Sequence, residues 1–507
     1  MRMSPRRALH LAIGLYTGIH LLLAALLPLA AHEAHYAGYA REPALSYLDH
    51  PPLAAWLQAP VVALADTDFA LRLVPIGLSV LAMVLLARLA RQTYPDGSAW
   101  LPVIAVLILQ GTLVFHGSLT LSPDSPLLPL ALGTVLVAQR CFGDAHRPGL
   151  SPHWQDWLLL GGLIGLAGLA KYTAVTLALS VLLLAVQRAG WRVLLPGRLW
   201  GAGLVALAMI GPVLLWNWQN DWVTVAFHSD YQFEDVVPWS LQAFLLSSAE
   251  QLAYYSPLLV VGGVSALWVR GRARGRHLLE GREGVLIAFV LPVLVLYGLT
   301  ALASRASPHW SMLGWLLLIP VLAAWLISAW SRRPALRALT WLSGMTSVAV
   351  LLALPLLAVP VGTWPDFRHP ARQLQGWSEA SARGVGLLED LPSNGFPGSP
   401  VLLARNWHHA GLLAWYAPDV PVLNLFHDLN PHNLMRGYSD RNTWGVLVYP
   451  RADLEPRGED LTRDFACSPL EAMPVYFGRS LVQVFHFYAC YSRMDGAPTD
   501  RVARRPR

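Results

Sequence analysis

The sequence predicts a polytopic α-helical membrane protein with a soluble α/β domain at its C-terminal end. Three observations predict this fold class. Of the 507 residues, 55% are hydrophobic and only 13% are charged, whereas soluble globular proteins carry about 25% charged residues. The apolar residues form long runs. The composition then changes near residue 360, and beyond it the apolar runs are short.

Eleven apolar runs indicate membrane-spanning helices, because crossing a bilayer core takes roughly 20 helical residues. The predicted spans are 9–30, 69–90, 99–116, 124–140, 156–170, 172–187, 199–216, 251–269, 283–303, 310–329 and 338–360. The fifth and sixth are short and nearly continuous. Together with the first outer loop, 31–68, they make a predicted transmembrane domain of residues 1–360, followed by a soluble domain of residues 361–507.

The basic residues orient these spans. Eighteen arginines lie in the N-terminal segment and in the loops on the same side of the membrane, whereas four basic residues lie on the opposite side. Positive charge concentrates in cytoplasmic loops, so the N-terminus is predicted to be cytoplasmic and the C-terminal domain to lie outside. The net charge of +6 therefore reflects membrane topology and does not indicate a nucleic-acid partner.

The C-terminal domain has the pattern of a small α/β fold. Short β-type runs bounded by Pro, Gly, Asn or Asp occur at 399–405, 420–426 and 442–450, and residues 371–391 have helical spacing. The alternating stretch SLVQVFHFYACYS, residues 480–492, is typical of a strand. Cys467 and Cys490 would lie on the oxidising side, where a disulfide is expected, although two buried free thiols are the alternative.

The first outer loop carries the densest group of ionisable residues, in AHEAHYAGYAREPALSYLDHPPLAAWL. An interfacial amphipathic helix with an aromatic belt that includes Tyr36 is one interpretation. That interpretation leaves unexplained Glu33 and Asp49, which adjoin apolar segments where a carboxylate is costly unless it is paired or lines a wet cavity. Together with His50, they could supply a general base or hold a metal.

A second group of polar residues lies at the outward ends of other spans. Asp124 opens the fourth span in SPDSP, where it could also serve as an acid in the first helical turn. Lys171, beside Tyr172 in LAKYTAV, is the only lysine in a chain with 36 arginines. It could reach toward the membrane surface as a snorkelling residue, but a compact ammonium group is also a good partner for phosphate.

Three further residues point to the same face: Asn217 in LLWNWQNDW, and Arg305 and His309 in SRASPHW. An aromatic belt explains the tryptophans of these stretches but not the amide. Arg305 is one of few outward arginines, so membrane topology does not account for it. An outward cavity with carboxylates and scattered cations suits chemistry on a lipid whose phosphate lies at the membrane surface.

Six stretches in order along the chain carry a resemblance: HEAHY…YLDHPPLAAWL, LRLVPIGLSVLAMVLLARLAR, SPDSPLLPLAL, GLAGLAKYTAV, GPVLLWNWQNDWV and SPHW. Together they resemble the polyprenyl-phosphate-sugar-dependent glycosyltransferases with the GT-C fold. That family includes bacterial aminoarabinose transferases that act on lipid A and protein O-mannosyltransferases. The similarity covers roughly residues 9–320, and the YLDHPPL stretch is its most specific part.

The resemblance implies a catalytic pair of acids in the first outer loop. The pair falls on His32 and Glu33, so this chain has histidine in place of the first acid. Glu33 could be the base, Asp49 could have taken over, or activity could be altered. The family's reaction inverts the anomeric carbon and releases undecaprenyl phosphate. A hydroxyl acceptor would benefit from a base, whereas a lipid phosphate acceptor would not require one.

These observations predict a glycosyltransferase of the bacterial inner membrane with a periplasmic active site. Its partners would be a polyprenyl-phosphate-linked sugar, a lipid, glycan or protein acceptor, and membrane lipids. Glu33 and Asp49 are the expected catalytic residues, and the expected substrate-binding residues are His32, Tyr36, His50, Asp124, Lys171, Tyr172, Asn217, Arg305 and His309. No cofactor is predicted, and the involvement of a divalent metal is open. The alternatives are a flippase for a lipid-linked sugar and an inactive relative that binds polyprenyl phosphate.

Overall fold

The structure is a computed structural model that describes residues 3–143, 153–190, 197–233, 239–303, 306–360, 362–426, 429–451 and 464–493. Its helices are α1 Pro5–Leu26, α2 Ala31–Arg41, α3 Leu53–Leu64, α4 Asp68–Thr93, α5 Leu101–Gln110, α6 Leu113–His116, α7 Asp124–Phe142, α8 Trp154–Ala170, α9 Val175–Ala189, α10 Gly197–Met209, α11 Gly211–Gln219, α12 Val223–Phe233, α13 Leu241–Pro257, α14 Gly263–Arg274, α15 Gly281–Ala303, α16 Met312–Ala329, α17 Pro334–Ala353, α18 Trp377–Glu389, α19 Trp407–Tyr416 and α20 Pro431–Arg436. The strands are β1 Val401–Ala404, β2 Val422–Asn424, β3 Trp444–Arg451, β4 Phe465–Phe477 and β5 Ser480–Ser492.

The chain forms two compact units. The helical unit consists of Met1–Ala24, His50–Leu57 and Arg72–Ala353. The mixed unit consists of Ala25–Asp49, Gln58–Leu71 and Leu354–Arg507. Most of the first outer loop therefore folds with the C-terminal region, although Arg72–Ala353 of the helical unit separates the two in sequence.

The helical unit contains helices that are suited to span a membrane. Seven of its described helices are long and apolar enough to cross a bilayer, and there are nine if two bent pairs each count as one span. The pairs are Leu101–Gln110 with Leu113–Leu119, bent by 77°, and Gly197–Met209 with Gly211–Gln219, bent by 48°. The predicted fifth and sixth spans form shorter apolar helices, so the count of eleven remains a prediction.

Close helix packing explains the glycine-rich stretch of α8. A β-carbon at Gly161 would come within 2.2 Å of the Ala202 carbonyl oxygen, and one at Gly165 would come within 2.5 Å of the Met209 side chain. Both neighbours belong to α10. Small residues let two helix backbones approach each other, which is how membrane helices gain packing energy. This stretch therefore serves α8–α10 packing, as its composition predicts.

The mixed unit contains a five-stranded sheet with the order β2-β1-β3-β5-β4. Strand β1 pairs in parallel with both β2 and β3, whereas β5 pairs antiparallel with β3 and β4. Helices α18 and α19 cover one face, and the core between them and the sheet includes Leu402, Val446, Phe485 and Phe487. This arrangement agrees with the small α/β fold expected from the sequence.

The predicted disulfide is present in this sheet. Cys467 on β4 and Cys490 on β5 lie directly opposite each other across the two antiparallel strands, and their sulfur atoms are bonded. Cys141, on α7 of the helical unit, is a buried free thiol. The pairing follows from the strand register, which brings together two residues that are 23 positions apart.

Candidate functional site

Glu33 lies in the first turn of α2, within the mixed unit. Its side chain is buried, with the residue only 4% exposed. The Oε2 atom accepts a hydrogen bond of 3.0 Å from the backbone amide of Ala30, the residue that precedes the helix. An acid here stabilises the helix N-terminus by capping an otherwise free amide and by its favourable interaction with the helix dipole. Glu33 therefore has a structural role that can coexist with a catalytic one.

Asp49 is held by two side chains of α2. The Tyr39 hydroxyl donates a hydrogen bond of 2.6 Å to Oδ1, and the His35 Nε2 atom lies 3.2 Å from Oδ2. Complete burial and the charge of Asp49 hold the pKa of Tyr39 well above its ordinary value of 10, so its hydroxyl keeps its proton and remains a donor. Both oxygens of this buried carboxylate are thus fixed in place by neutral or cationic partners.

Helix α19 covers the same face of α2. Gly411 faces α2, and a β-carbon there would make ordinary van der Waals contact, at 3.4 Å, with the His35 backbone nitrogen. The Trp407 ring lies 4.7 Å from the His35 ring, and the His408 ring lies 4.9 Å from that of His32. Residues of α2 and α19 therefore form one aromatic and imidazole cluster beside Asp49.

Two imidazoles of this cluster, those of His32 and His408, favour the neutral form. Burial, with the nearby His32, His35 and His409, lowers the pKa of His408 to about 4. Partial burial and the neighbouring His35 lower the pKa of His32 as well, although Asp49 opposes this shift. Among the described residues, no group of three histidine, cysteine or acidic side chains is arranged to hold a metal ion. His32 and His408 therefore present neutral rings on this face of α2.

Lys171 and Asp124 form a buried ion pair within the helical unit. The Lys171 ammonium lies 2.8 Å from both carboxylate oxygens of Asp124, and Lys171 is 7% exposed. Asp124 is the first residue of α7. Lys171 follows the last residue of α8 in extended conformation, and this break turns its side chain out of the helical path. Asp124 therefore does more than cap its own helix, and Lys171 is not a free surface cation.

The other predicted site residues are more dispersed. Tyr36 is buried on α2, with its ring 5.1 Å from the His35 ring. In the helical unit, the Tyr172 ring lies 5.5 Å from that of His228, and Asn217 is buried on α11, where its amide donates to the Val213 carbonyl.

His50 and His309 also belong to the helical unit and are half-buried. His309 is part of a short 3₁₀ turn, Pro308–Ser311, that leads into α16. Arg305 lies outside the described residues, so its predicted role remains a prediction. The structure thus groups Glu33, Asp49, His32 and Tyr36 in the mixed unit, and it pairs Asp124 with Lys171 in the helical unit.

Four residues near Asp49 did not emerge from the sequence as site residues: His35, Tyr39, Trp407 and His408. The first two could have been found from helical spacing. With His32 and Tyr36 they occupy positions i, i+3, i+4 and i+7 of α2, which lie on one face of a helix. Trp407 and His408 reach the site through tertiary packing, for which the sequence carries no local signal.

Comparisons with known proteins found similar sequences and similar folds. Residues 49–216 match the protein family described as dolichyl-phosphate-mannose-protein mannosyltransferase. The lipid A galacturonosyltransferase RgtD of Rhizobium johnstonii is 26% identical over 304 residues, which cover 58% of this chain and 60% of RgtD. The matched segment therefore spans about three fifths of the length of that curated relative.

Two crystal structures share the fold. ArnT from Cupriavidus metallidurans bound to undecaprenyl phosphate superimposes with a TM-score of 0.59 at 13% identity, covering 94% of this chain and 97% of ArnT. ArnT in the apo state gives a TM-score of 0.58 at 14% identity, with the same coverage. The predicted multi-pass helical fold is thereby confirmed. Together with the matching motifs, these findings support the resemblance to the GT-C fold glycosyltransferases.

Proposed function

We propose that this protein transfers a sugar from a polyprenyl-phosphate donor to a saccharide of a membrane lipid on the outer side of the inner membrane. The observation that carries the proposal is the buried Asp49 carboxylate, fixed by Tyr39 and His35. It lies in the YLDHPPL stretch that most specifically resembles the family. The fold shared with ArnT and the sequence match to a lipid A galacturonosyltransferase support this donor and acceptor.

The reaction is a displacement at the anomeric carbon of the donor sugar. The acceptor oxygen forms a new bond to this carbon while the bond to the phosphate oxygen breaks, which inverts the configuration. The polyprenyl phosphate leaves with the electron pair of the broken bond. A hydroxyl acceptor gives its proton to a carboxylate, for which Asp49 is the first candidate and Glu33 the second. A general base of this kind typically contributes a factor of about 10²–10⁴ in rate.

The fixed position of Asp49 suits this role. Its two hydrogen-bond partners hold the carboxylate in one orientation, so little reorganisation is needed when the acceptor binds. Glu33 is constrained differently, because one oxygen already accepts the Ala30 amide. Both carboxylates accept hydrogen bonds, but a proton taken up by Glu33 would weaken the bond that caps the start of α2. The geometry therefore favours Asp49 as the residue that receives the proton and Glu33 as the residue that supports α2.

Lys171 is the proposed partner of the donor phosphate. An ammonium group has three hydrogen-bond donors, and the Asp124 oxygens engage part of this capacity. Asp124 thereby holds the ammonium in an extended, buried position where a phosphate oxygen can share it. Tyr172, Asn217, His309 and Arg305 remain proposed contributors to donor binding, and His50 remains a proposed organiser of the acceptor loop.

A flippase for a lipid-linked sugar is the second candidate, because two helix pairs are bent at breaks and transporters place their binding sites at discontinuous helices. An assay on the purified protein reconstituted in vesicles distinguishes the two functions. A transferase produces a glycosylated acceptor and free polyprenyl phosphate, whereas a flippase moves the intact donor between leaflets. An inactive binding relative would bind the donor and do neither.

Mass spectrometry of lipid A and other envelope glycans from a deletion strain tests the proposal in cells. We expect the mutant to lack one sugar on a lipid-linked saccharide, and plasmid-borne wild-type protein should restore it. The Asp49→Asn variant is the matched control, since it should reach the membrane at normal levels without restoring the sugar. Unchanged glycans in the deletion strain, or full restoration by the variant, would contradict the proposal.

A further inference from the structure

A wide groove lies on the mixed unit, at one edge of its sheet. Its volume is about 750 Å³, which is within the range of small-ligand sites. Residues that follow or end three parallel strands line it: Arg405 and Asn406 after β1, Asn424 at the end of β2, and Tyr449 near the end of β3. The groove therefore lies at the carboxyl ends of β1, β2 and β3.

The strand order makes this edge a ligand position. The chain leaves β1 through α19 to form β2 on one side, then passes through α20 to form β3 on the other side of β1. The order of strands thus reverses at β1. In open α/β sheets, ligands bind in the crevice outside the carboxyl ends of the strands where such a reversal occurs. The groove occupies this place in the fold.

The lining of the groove selects for negative charge. Within the described part of the chain, Arg405 is the one charged residue that lines the groove, and none of the lining residues is an aspartate or glutamate. The Arg405 Nη1 atom donates to the Tyr449 hydroxyl at 2.7 Å, and the guanidinium also lies over the Tyr449 ring. This support fixes the orientation of the guanidinium without neutralising its charge. An arginine held in this way is suited to bind a phosphate or carboxylate through two parallel hydrogen bonds.

Helix α19 reinforces this preference, because its N-terminus opens onto the groove. Asn406 caps the helix by accepting a hydrogen bond from the His409 amide at 2.9 Å, and Asn406, Trp407 and His409 all line the groove. The helix dipole places partial positive charge at this end. Since burial lowers the pKa of His409 to about 4, its ring is neutral near pH 7. Arg405 and the helix N-terminus therefore supply the positive potential.

Asn424 gives an independent sign of a polar ligand. It is 2% exposed, and within the described part of the chain its Oδ1 atom has no hydrogen-bond partner. A buried polar atom without a partner costs free energy, so such an atom in a ligand crevice is typical of a group that a ligand satisfies. An amide oxygen accepts hydrogen bonds, which sugar hydroxyls can donate.

Aromatic rings complete the lining. Phe426 is 41% exposed, and Trp407 presents its ring between the groove and the cluster beside Asp49, where it packs on His35. Sugar rings stack their apolar C–H faces on such side chains while their hydroxyls bind amides. We infer that this groove binds an anionic saccharide, a sugar that carries a phosphate or a carboxylate, as the headgroup of the acceptor. The identification as acceptor rests on the proposed function, but saccharide binding does not.

Ligand-observed NMR on the full-length protein in detergent tests this inference. The probes are glucose 1-phosphate, glucose and inorganic phosphate at equal concentrations. We expect glucose 1-phosphate to bind clearly more tightly than either of the others, because each alone satisfies only part of the groove. Arg405→Gln should weaken its binding about ten-fold or more, as expected for loss of a charge-assisted contact. Tyr449→Phe, which removes the hydroxyl that orients Arg405, should weaken it less.

Arg479→Gln is the matched control, because Arg479 is exposed at the turn between β4 and β5, away from the groove lining, and its loss should leave binding unchanged. Equal binding of inorganic phosphate and glucose 1-phosphate would overturn the saccharide assignment. Wild-type affinity in both Arg405→Gln and Tyr449→Phe would overturn the groove as the site. The NMR experiment measures binding and does not require turnover. A failure of the proposed transferase activity would be detected independently, in a transfer assay.

Discussion

At the residue scale, the ion pair between Lys171 and Asp124 complicates the interpretation of a single substitution at either residue. Both side chains are largely withdrawn from solvent, with exposures of 8% and 19%. Removing one partner of a buried pair leaves an uncompensated charge, which is strongly destabilising. Loss of activity in a single variant would therefore mix a folding defect with a binding defect.

Comparing a single and a double variant separates these effects. Lys171→Ala should lower the free energy of unfolding by about 3 kcal/mol and abolish transfer. Lys171→Ala combined with Asp124→Ala should recover most of the stability, because no charge is left unpaired, but should remain inactive. Thermal unfolding and transfer measured on the same detergent preparations check both parts. An active double variant would rule out phosphate binding by Lys171.

His32 stands where the resemblance implies an acid, and the structure gives its ring a contact that an acid would lack. The ring packs edge-on against His408, while Asp49 receives its hydrogen bonds from His35 and Tyr39. We therefore expect His32→Asp to give no increase in kcat, since the new acid would lose the ring contacts and add a second charge near Asp49. Steady-state kinetics check this, with His32→Asn as the uncharged control. A ten-fold gain confined to His32→Asp would show that the family's acid pair is latent here.

At the scale of elements, α19 and α20 make the mixed unit sensitive to acid. Burial lowers the pKa values of His408, His409 and His432 to about 4 from their ordinary value of 6.5. The unfolded chain takes up these protons near pH 6.5, so between pH 6.5 and 4 it binds more protons than the folded chain. The stabilisation is therefore complete above pH 6.5 and is lost as the pH falls toward 4.

The thermal unfolding midpoint should accordingly drop between pH 7.5 and pH 5. His408→Gln should reduce the difference between the two midpoints, even if it lowers both by removing the stacking of His408 on Trp407. His10→Gln is the control, because His10 is exposed on α1 and its loss should leave the difference unchanged. A midpoint that rises on acidification would contradict the neutral, buried state of these histidines.

The β4–β5 pair makes a prediction about compartment. If the mixed unit lies outside the cytoplasm, the Cys467–Cys490 bond persists in the protein isolated from cells. Thiol labelling of unreduced, denatured protein should then modify only Cys141, and all three cysteines should react after reduction. Blocking free thiols before lysis provides the control against later oxidation. Three reactive cysteines in unreduced protein would place this unit in a reducing compartment.

The elements that the sequence revealed are those with strong local patterns. The helix α18 and the strands β1, β2, β3 and β5 lie where periodicity and turn residues predicted them. Strand β4 was not predicted, because Pro469 and Pro474 within it argue against a strand. It is an edge strand of the sheet, where a missing amide donor is tolerated.

The site shows the same division. Residue types identified Glu33, Asp49, Asp124 and Lys171, since charges beside apolar helices need a reason. Their partners were not predictable, because the Lys171–Asp124 and His35–Asp49 contacts join residues 47 and 14 positions apart. The groove lined by Arg405 depends on the order of the strands in the sheet, and this order was not predicted from the sequence. The sequence therefore predicts which residues are chemically important, whereas the contacts between them are known only from the folded structure.

At the scale of the whole molecule, the central claim is that an inner-membrane GT-C fold protein uses Asp49 to transfer a sugar from a polyprenyl phosphate. The chain shares its fold with ArnT and is similar in sequence to RgtD. The substitution of His32 for an acid leaves the choice of base to this chain's own geometry, in which Asp49 has fixed partners and Glu33 caps a helix.

The most direct test is transfer by the purified protein from a labelled polyprenyl-phosphate sugar to lipid A, with release of polyprenyl phosphate as a second readout. Wild-type protein should produce both products, and Asp49→Asn should fold normally yet lose at least about 100-fold in rate. Glu33→Gln should also lose activity, by a smaller factor, whereas Glu389→Gln, at an exposed acid at the end of α18, should retain it. Full rate in both Asp49→Asn and Glu33→Gln would contradict the account.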